Sequence, residues 1–160
     1  MRVLRELRPR VLILPYWEGR HPDHYTASVL GYEAAFLSGL AKLGLSQQAS
    51  AIRESSNGLA PHRPFKIIYA SLYRDVRPTF VVDITDQFEA RLASLMAYKS
   101  QFTDQQAGSG IFPAQAEIRA RVESMARFYG MLGGVTYAEP FVQKEVGLVD
   151  DVMAIPVKSI

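Results

Sequence analysis

Apolar and polar positions divide the chain into short stretches of different period. Val11, Leu12, Ile13 and Leu14 form an unbroken apolar run closed by Pro15. That is the pattern of a short strand buried on both faces of a parallel sheet, and such a strand needs neighbours. Residues 16–20 are polar and aromatic. Pro22 suits a first helical position and opens a helix expected to run to about Leu43, where Gly44 ends it. The order is therefore strand, loop, helix. Residues 1–7 read as a helical turn or two with no cap residue ahead of them, more the tail of a helix than a beginning, so a preceding segment is expected.

Residues 46–64 collect Ser, Gln, Asn, Gly and Pro, the composition of a long surface loop with one helical turn at 50–54. Residues 65–73 and 80–84 are β-rich and separated by turn formers, and the two strands are expected to pair or lie close. Thr85 or Asp83 can cap a helix over 86–100, whose Phe88, Leu92, Leu95 and Met96 recur at helical spacing and mark a core face. After a small-residue loop at 105–110, residues 113–132 form a second amphipathic helix ended by Gly133 and Gly134, and 135–141 a last short strand before an irregular tail. Together these elements predict an α/β fold, with one domain spanning 1–160.

Composition narrows the function. The 160 residues are 48% apolar and 21% charged, enough for one sizeable core, and 18 basic against 16 acidic residues give a net charge of +2 with no basic block. Nucleic acid is not an expected partner. No apolar run reaches the roughly 20 residues of a membrane span, and the stretch after Arg10 is too short for a signal-peptide core. A cytoplasmic protein with no membrane partner is the expectation. The chain has no Cys, which removes disulfides, thiolate zinc sites and thiol nucleophiles. Any metal must use His, carboxylate or water.

There are three histidines, and two of them stand in His21-Pro22-Asp23-His24, just past the carboxyl end of the expected parallel strand. Ligands of open α/β sheets bind there. With Pro22 as the first helical residue, His21 takes the cap and His24 the first turn, so both imidazoles can face one crevice. A helix N-terminus disfavours imidazolium and keeps a ring nitrogen available to a metal. Asp23 can cap the helix or orient an imidazole. Taken alone, a His-x-x-His pair with no third ligand nearby is equally the pattern of loop and cap residues. His62, between Pro61 and Arg63, is expected to be exposed.

The stretch from Leu14 through Tyr16, Trp17, Glu18, Gly19 and Arg20 to His24, followed by Ala27 and Ser28, resembles the second motif of LmbE-like (PIG-L) zinc-dependent N-acetylglucosaminide deacetylases. It is most similar to the bacillithiol-pathway branch, the N-acetylglucosaminyl malate deacetylases. Phe80-Val81-Val82-Asp83-Ile84-Thr85, Tyr98-Lys99-Ser100-Gln101-Phe102, Ala126-Arg127-Phe128-Tyr129-Gly130 and Tyr137-Ala138-Glu139-Pro140-Phe141 agree in order. The likeness covers residues 3–145. It implies the C-terminal portion of a Rossmann-like three-layer fold with a partly parallel sheet flanked by helices.

In that family the last His of HPDH, here His24, is a zinc ligand, and the first, here His21, stabilises the oxyanion or protonates the leaving amine. Asp23 falls to a supporting role. The family's other two ligands and its general base come from an AHPDD motif that this sequence lacks. The resemblance therefore implies one half of a deacetylase site, with Trp17, Arg20 and Arg63 as lining candidates. The mycothiol branch has a Tyr two positions before HPDH, where this chain has Gly19.

An amino-sugar conjugate is the implied substrate, a homo-oligomer the implied assembly, and the chain alone is expected to be inactive. The alternative is an inactive remnant that associates through an exposed sheet edge. A third possibility, a different metal hydrolase using His62 or the pair Asp150-Asp151, finds no support in the spacing.

Overall fold

A computed structural model describes residues 1–43, 59–71, 74–102 and 113–157. The expected helical turn at 50–54 and the small-residue loop at 105–110 lie outside them. The chain separates into two compact units, Met1–Arg77 with Phe141–Val146, and Pro78–Pro140 with Gly147–Ile160. The expected α/β class is what the structure shows: parallel and antiparallel strands in one sheet system, flanked by helices.

The first unit holds α1 (Arg2–Leu7), β1 (Val11–Pro15), α2 (Pro22–Ser38) and β2 (Lys66–Ala70). β1 and β2 run parallel with Val11 opposite Lys66 and Pro15 opposite Ala70, as a strand–helix–strand crossover requires. The far side of β2 pairs antiparallel with Phe141 and Val142, the last residues of β4 (Ala138–Val142). β1 carries no further strand on its other side among the described residues.

Expectation and structure differ on β1. Leu14 is buried, but Val11 is 45% and Ile13 57% exposed, so the strand is covered on one face only. Leu14 is the side chain on which α2 lies. The helix comes so close that a Cβ on Gly31 would stand 2.3 Å from Leu14 Cδ2, so a larger residue there requires the buried Leu14 side chain to shift.

α2 is also shorter than its apolar pattern promised. It ends at Ser38 because tertiary donors take its last carbonyls: buried Arg5 gives Nε to Ser38 O at 3.0 Å and Nη2 to Leu40 O at 2.9 Å, and the His62 amide reaches Ser38 O at 3.0 Å. A cation at a helix C-terminus is favoured by the helix dipole as well.

The second unit contains β3 (Phe80–Asp83), a 3-10 turn at Thr85–Gln87, α3 (Phe88–Met96), α4 (Gln115–Gly133) and the start of β4. β2 and β3 do not pair with each other. Asp83 Oδ1 accepts from the Thr85 amide and hydroxyl, which starts the turn into α3. Of the expected stripe Phe88 and Leu92 are buried and Leu95 and Met96 half-buried; Phe88 packs with Ile84 and Ala126, and its ring stacks on Tyr137 at 4.2 Å. α4 ends as expected at a left-handed Gly134, φ 71°. No described helix is long and apolar enough to cross a membrane.

Candidate active site

The carboxyl ends of the parallel strands β1 and β2 open onto one crevice. Pro15, Tyr16, Glu18 and Gly19 line it from the loop after β1, His24 from the first turn of α2, and Ala70, Ser71 and Arg74 from the end of β2. The Tyr16 amide still donates to Ala70 O at 2.9 Å, which fixes the start of the loop on the sheet. At the rim Arg74 Nη2 pairs with Glu18 Oε2 at 2.9 Å, and the Ser71 hydroxyl donates to Arg74 O at 2.6 Å. The crevice is shallow and open to solvent.

His21 is the N-cap of α2, in extended conformation, with Pro22 at the first helical position. Its side chain does what Ser or Asp does at such caps: Nδ1 accepts the Asp23 backbone N–H at 3.2 Å. With that lone pair engaged, a neutral ring carries its proton on Nε2, which is then the ring's donor. The cap thus belongs to His21, and the Asp23 carboxylate stands beside it, 3.6 Å from Nδ1.

His24 is half-buried, and its ring centre lies 6.0 Å from that of His21. Gly19 packs against it: a Cβ there would come within 3.3 Å of His24 Cβ, so a larger residue at 19 would displace the His24 ring.

The other candidates are spread out. Trp17 and Arg20 lie on the same loop but do not line the crevice. The Trp17 ring is tilted against Tyr16 at 4.2 Å, meets the Tyr69 ring edge-on at 4.9 Å and has Lys144 Nζ 4.7 Å above it. Arg63 is engaged at the opposite end of α2, where its guanidinium covers the Phe36 ring at 4.6 Å and donates to Phe36 O. His62, expected to be exposed, is half-buried and gives Nε2–H to Pro9 O at 2.8 Å. Asp151 accepts the Met153 amide and starts a 3-10 turn at Val152–Ala154.

Among the described residues no three His, Asp or Glu side chains gather closely enough to hold a metal ion. A catalytic zinc takes three protein ligands and an open position. His24 can serve as one ligand, and His21 and Asp23 do not complete the set.

Sequence reasoning passed over Glu18, Ser71 and Arg74. Applying the strand-end rule to β2 as well as β1 would have found the last two. Nothing local in the sequence marks Lys144.

No protein-family model matches the chain. It is 30% identical over 141 residues to the diacetylchitobiose deacetylase of Thermococcus kodakarensis, covering 86% of this chain and 46% of that protein. Among solved structures, a conserved protein from Thermus thermophilus superposes with a TM-score of 0.68 and 31% identity, covering 93% of this chain and 58% of the other. The N,N'-diacetylchitobiose deacetylase of Pyrococcus horikoshii, solved with an inhibitor, gives 0.63 and 26%, covering 88% and 47%.

The 4-carboxy-2-hydroxymuconate hydratase of Pseudomonas putida gives 0.63 at 14% identity and shares the fold alone. The chain spans about half the length of these relatives. Over that half it is similar in sequence and fold to diacetylchitobiose deacetylases.

Proposed function

We propose that the chain carries the HPDH half of an LmbE-like deacetylase site that hydrolyses the N-acetyl group of an amino-sugar conjugate, with the bacillithiol-pathway type as the specific form. The observation that carries this reading is the division of labour between the imidazoles. The Nδ1 lone pair of His21 is engaged at the helix cap, so a neutral ring carries its proton on Nε2 and can donate from there.

Hydrolysis adds water to the amide carbonyl carbon, breaks the C–N bond, and releases acetate and a free amine that takes up a proton. A positioned Nε2–H suits the oxyanion that forms on the way, and the same proton suits the departing nitrogen. His24 is proposed as one zinc ligand, with the remaining ligands and the carboxylate base supplied by a family half that this chain lacks. A bound zinc would polarise the carbonyl. Supporting points are the deacetylase relatives and the crevice at the carboxyl ends of β1 and β2, which His24 lines and His21 does not.

The test is amine release from an N-acetylglucosaminide, measured for the chain alone and for a fusion to the N-terminal half of a relative, with zinc content measured alongside. The fusion should turn over and the chain alone should not. In the fusion, His24→Ala should abolish tight zinc binding, while His21→Ala should keep zinc and cut turnover on the order of 100-fold. Equal zinc loss in both variants would refute the assignment of roles, and robust turnover by the chain alone would refute the half-site.

A second reading rests on the exposed Val11 and Ile13 of β1, whose outer side carries no strand among the described residues. It makes the chain a self-associating module that pairs through this edge. A monomer in light scattering at high concentration would exclude it.

A further inference from the structure

Lys144 does not belong to any motif, yet three aromatic rings converge on its ammonium. Nζ lies 4.7 Å from the ring centre of Trp17, 5.0 Å from that of Tyr69 and 5.1 Å from that of Tyr32. The rings come from three elements of the first unit: Trp17 from the loop between β1 and α2, Tyr69 from β2 and Tyr32 from α2. A cation is held by the negative faces of such rings, best of all by indole.

The box has a second unusual feature. Tyr69 is 1% exposed, and its hydroxyl has no hydrogen-bond partner among the described residues. Burial, with the nearby Glu145 and Tyr32 adding to it, pushes the phenol above the ordinary tyrosine range, so the ring stays neutral beside the ammonium. What holds Lys144 is therefore ring faces and not a phenolate partner.

We infer that Lys144 is the positioning residue of the loop that carries His21: by clamping Trp17 against β2 and α2, it sets the path of residues 16–21 and with it the direction of the His21 and His24 rings. The loop has few other anchors. Its first amide is tied to Ala70, its rim residue Glu18 is paired with Arg74, and Trp17 lies between Tyr16 and the Lys144 box. His21 follows Trp17 by four residues on the same loop. The inference deepens the deacetylase reading by naming what orients its histidines, but the arrangement can be read without any catalysis.

Trp17 is the chain's single tryptophan, so its fluorescence reports the box directly. The experiment compares acrylamide quenching of Trp17 and the carbon-bound ring-proton NMR signals of His21 and His24 in the 160-residue chain carrying Lys144→Met, Lys144→Arg or Tyr32→Leu. Circular dichroism checks that each variant is folded.

Lys144→Met should raise the quenching constant roughly two- to fivefold, the population shift that losing an exposed cation–π contact allows, and should move both histidine signals. Arginine keeps the cation and should restore wild-type values, which a merely space-filling role would not demand. Tyr32→Leu removes one ring of the box and should give a smaller change in the same direction, and it stands in if Lys144→Met does not fold. A folded Lys144→Met chain with unchanged quenching or unmoved histidine signals would overturn the inference, as would failure of arginine to rescue. Failure of the fusion enzyme to deacetylate would sink the functional reading and leave these spectroscopic outcomes decisive for the clamp.

Discussion

The two units differ in how their polar groups are arranged, although both hold ion pairs, Arg2–Glu6 and Arg74–Glu18 in the first. In the second, charges satisfy one another along and between helices: Arg119 grips Glu89 with two hydrogen bonds, Arg127 and the Tyr137 hydroxyl both reach Glu123, Arg121 pairs with Glu117, and Arg91 with Glu139. Its apolar centre, Ile84, Phe88 and Ala126, is closed by Val122 and the Tyr137 ring. In the first unit a buried hydroxyl stands without a partner among the described residues, two β-branched apolar residues of β1 face outward, and the histidines of the HPDH motif occupy a solvent-facing helix start. The second unit is assembled for stability. The first keeps donors, an apolar face and a lysine clamp in a condition that stability alone does not explain.

The widest separation between the units should appear on truncation. Phe88→Ala removes a 2%-exposed ring stacked on Tyr137 and should cost roughly 3–5 kcal/mol, read as a lower denaturant midpoint by circular dichroism. His21→Ala should stay within roughly 1 kcal/mol, the worth of one cap hydrogen bond. Similar losses in the two variants would erase the contrast. A smaller effect of the same kind is expected at the helix–strand contact of the first unit: Gly31→Ala forces Leu14 out of its rotamer and should cost roughly 1–3 kcal/mol. No loss there would mean that α2 can lift off β1 freely.

Expectation and structure agree where the cause is local, and part where it is not. Pro22 at the start of α2, the core stripe of α3 and the glycine end of α4 follow from single residues or from periodicity, and each is where the chain places it. HPDH was legible for the same reason, because cap geometry and strand-end placement are both local rules. The early end of α2 depends on Arg5, 33 residues away. The pairing of β2 with Phe141 and Val142 depends on a strand from the end of the fold, which no pattern in 65–84 announces. Arg74 and Lys144 reach the site region through tertiary contacts with Glu18 and Trp17, and a single sequence does not show such pairs.

Titration should sharpen the comparison from both ends of the pH scale. Hydrogen bonds from Arg119 and Arg127 lower the carboxyls of Glu89 and Glu123, and the Thr85 hydroxyl lowers that of Asp83. Groups depressed by folding lend stability above their unfolded range, near about 4, and that stability is lost as pH falls through the lower folded value. Tyr69 has the reverse sign. Its raised phenol lends stability below about pH 10 that disappears as pH rises through the higher folded value. Tyr137 is raised too, by desolvation and by its bond to Glu123. Unfolding midpoints across pH should therefore show an acid limb that Glu89→Gln flattens and an alkaline limb that Tyr69→Phe flattens. At pH 7 Tyr69→Phe should stabilise by about 1 kcal/mol, because it deletes an unsatisfied buried hydroxyl. A clear loss of stability on Tyr69→Phe would mean that the hydroxyl has a partner in solution.

The smallest difference concerns how each unit ends a helix. α1 and α4 both stop in the left-handed region, but α4 does so at Gly134, φ 71°, and α1 at Arg8, φ 46°, the one described non-glycine residue with positive φ. An L side chain there crowds its own carbonyl by roughly 1–2 kcal/mol, whereas glycine does not. Against that relief stands the greater entropy that glycine loses on folding, about 0.5–1 kcal/mol. The Arg8 side chain is exposed, so the backbone term should decide the outcome. Arg8→Gly should accordingly raise the unfolding midpoint by the equivalent of roughly 0.5–1 kcal/mol, and Gly134→Ala should lower it by about 1 kcal/mol, since a Cβ at 134 meets nothing in space and is opposed by φ alone. If Arg8→Gly instead destabilised the chain, the arginine side chain would have to be contributing more than its strained backbone costs, and α1 would then be fixed to the first unit by Arg8 as well as by the buried Arg5.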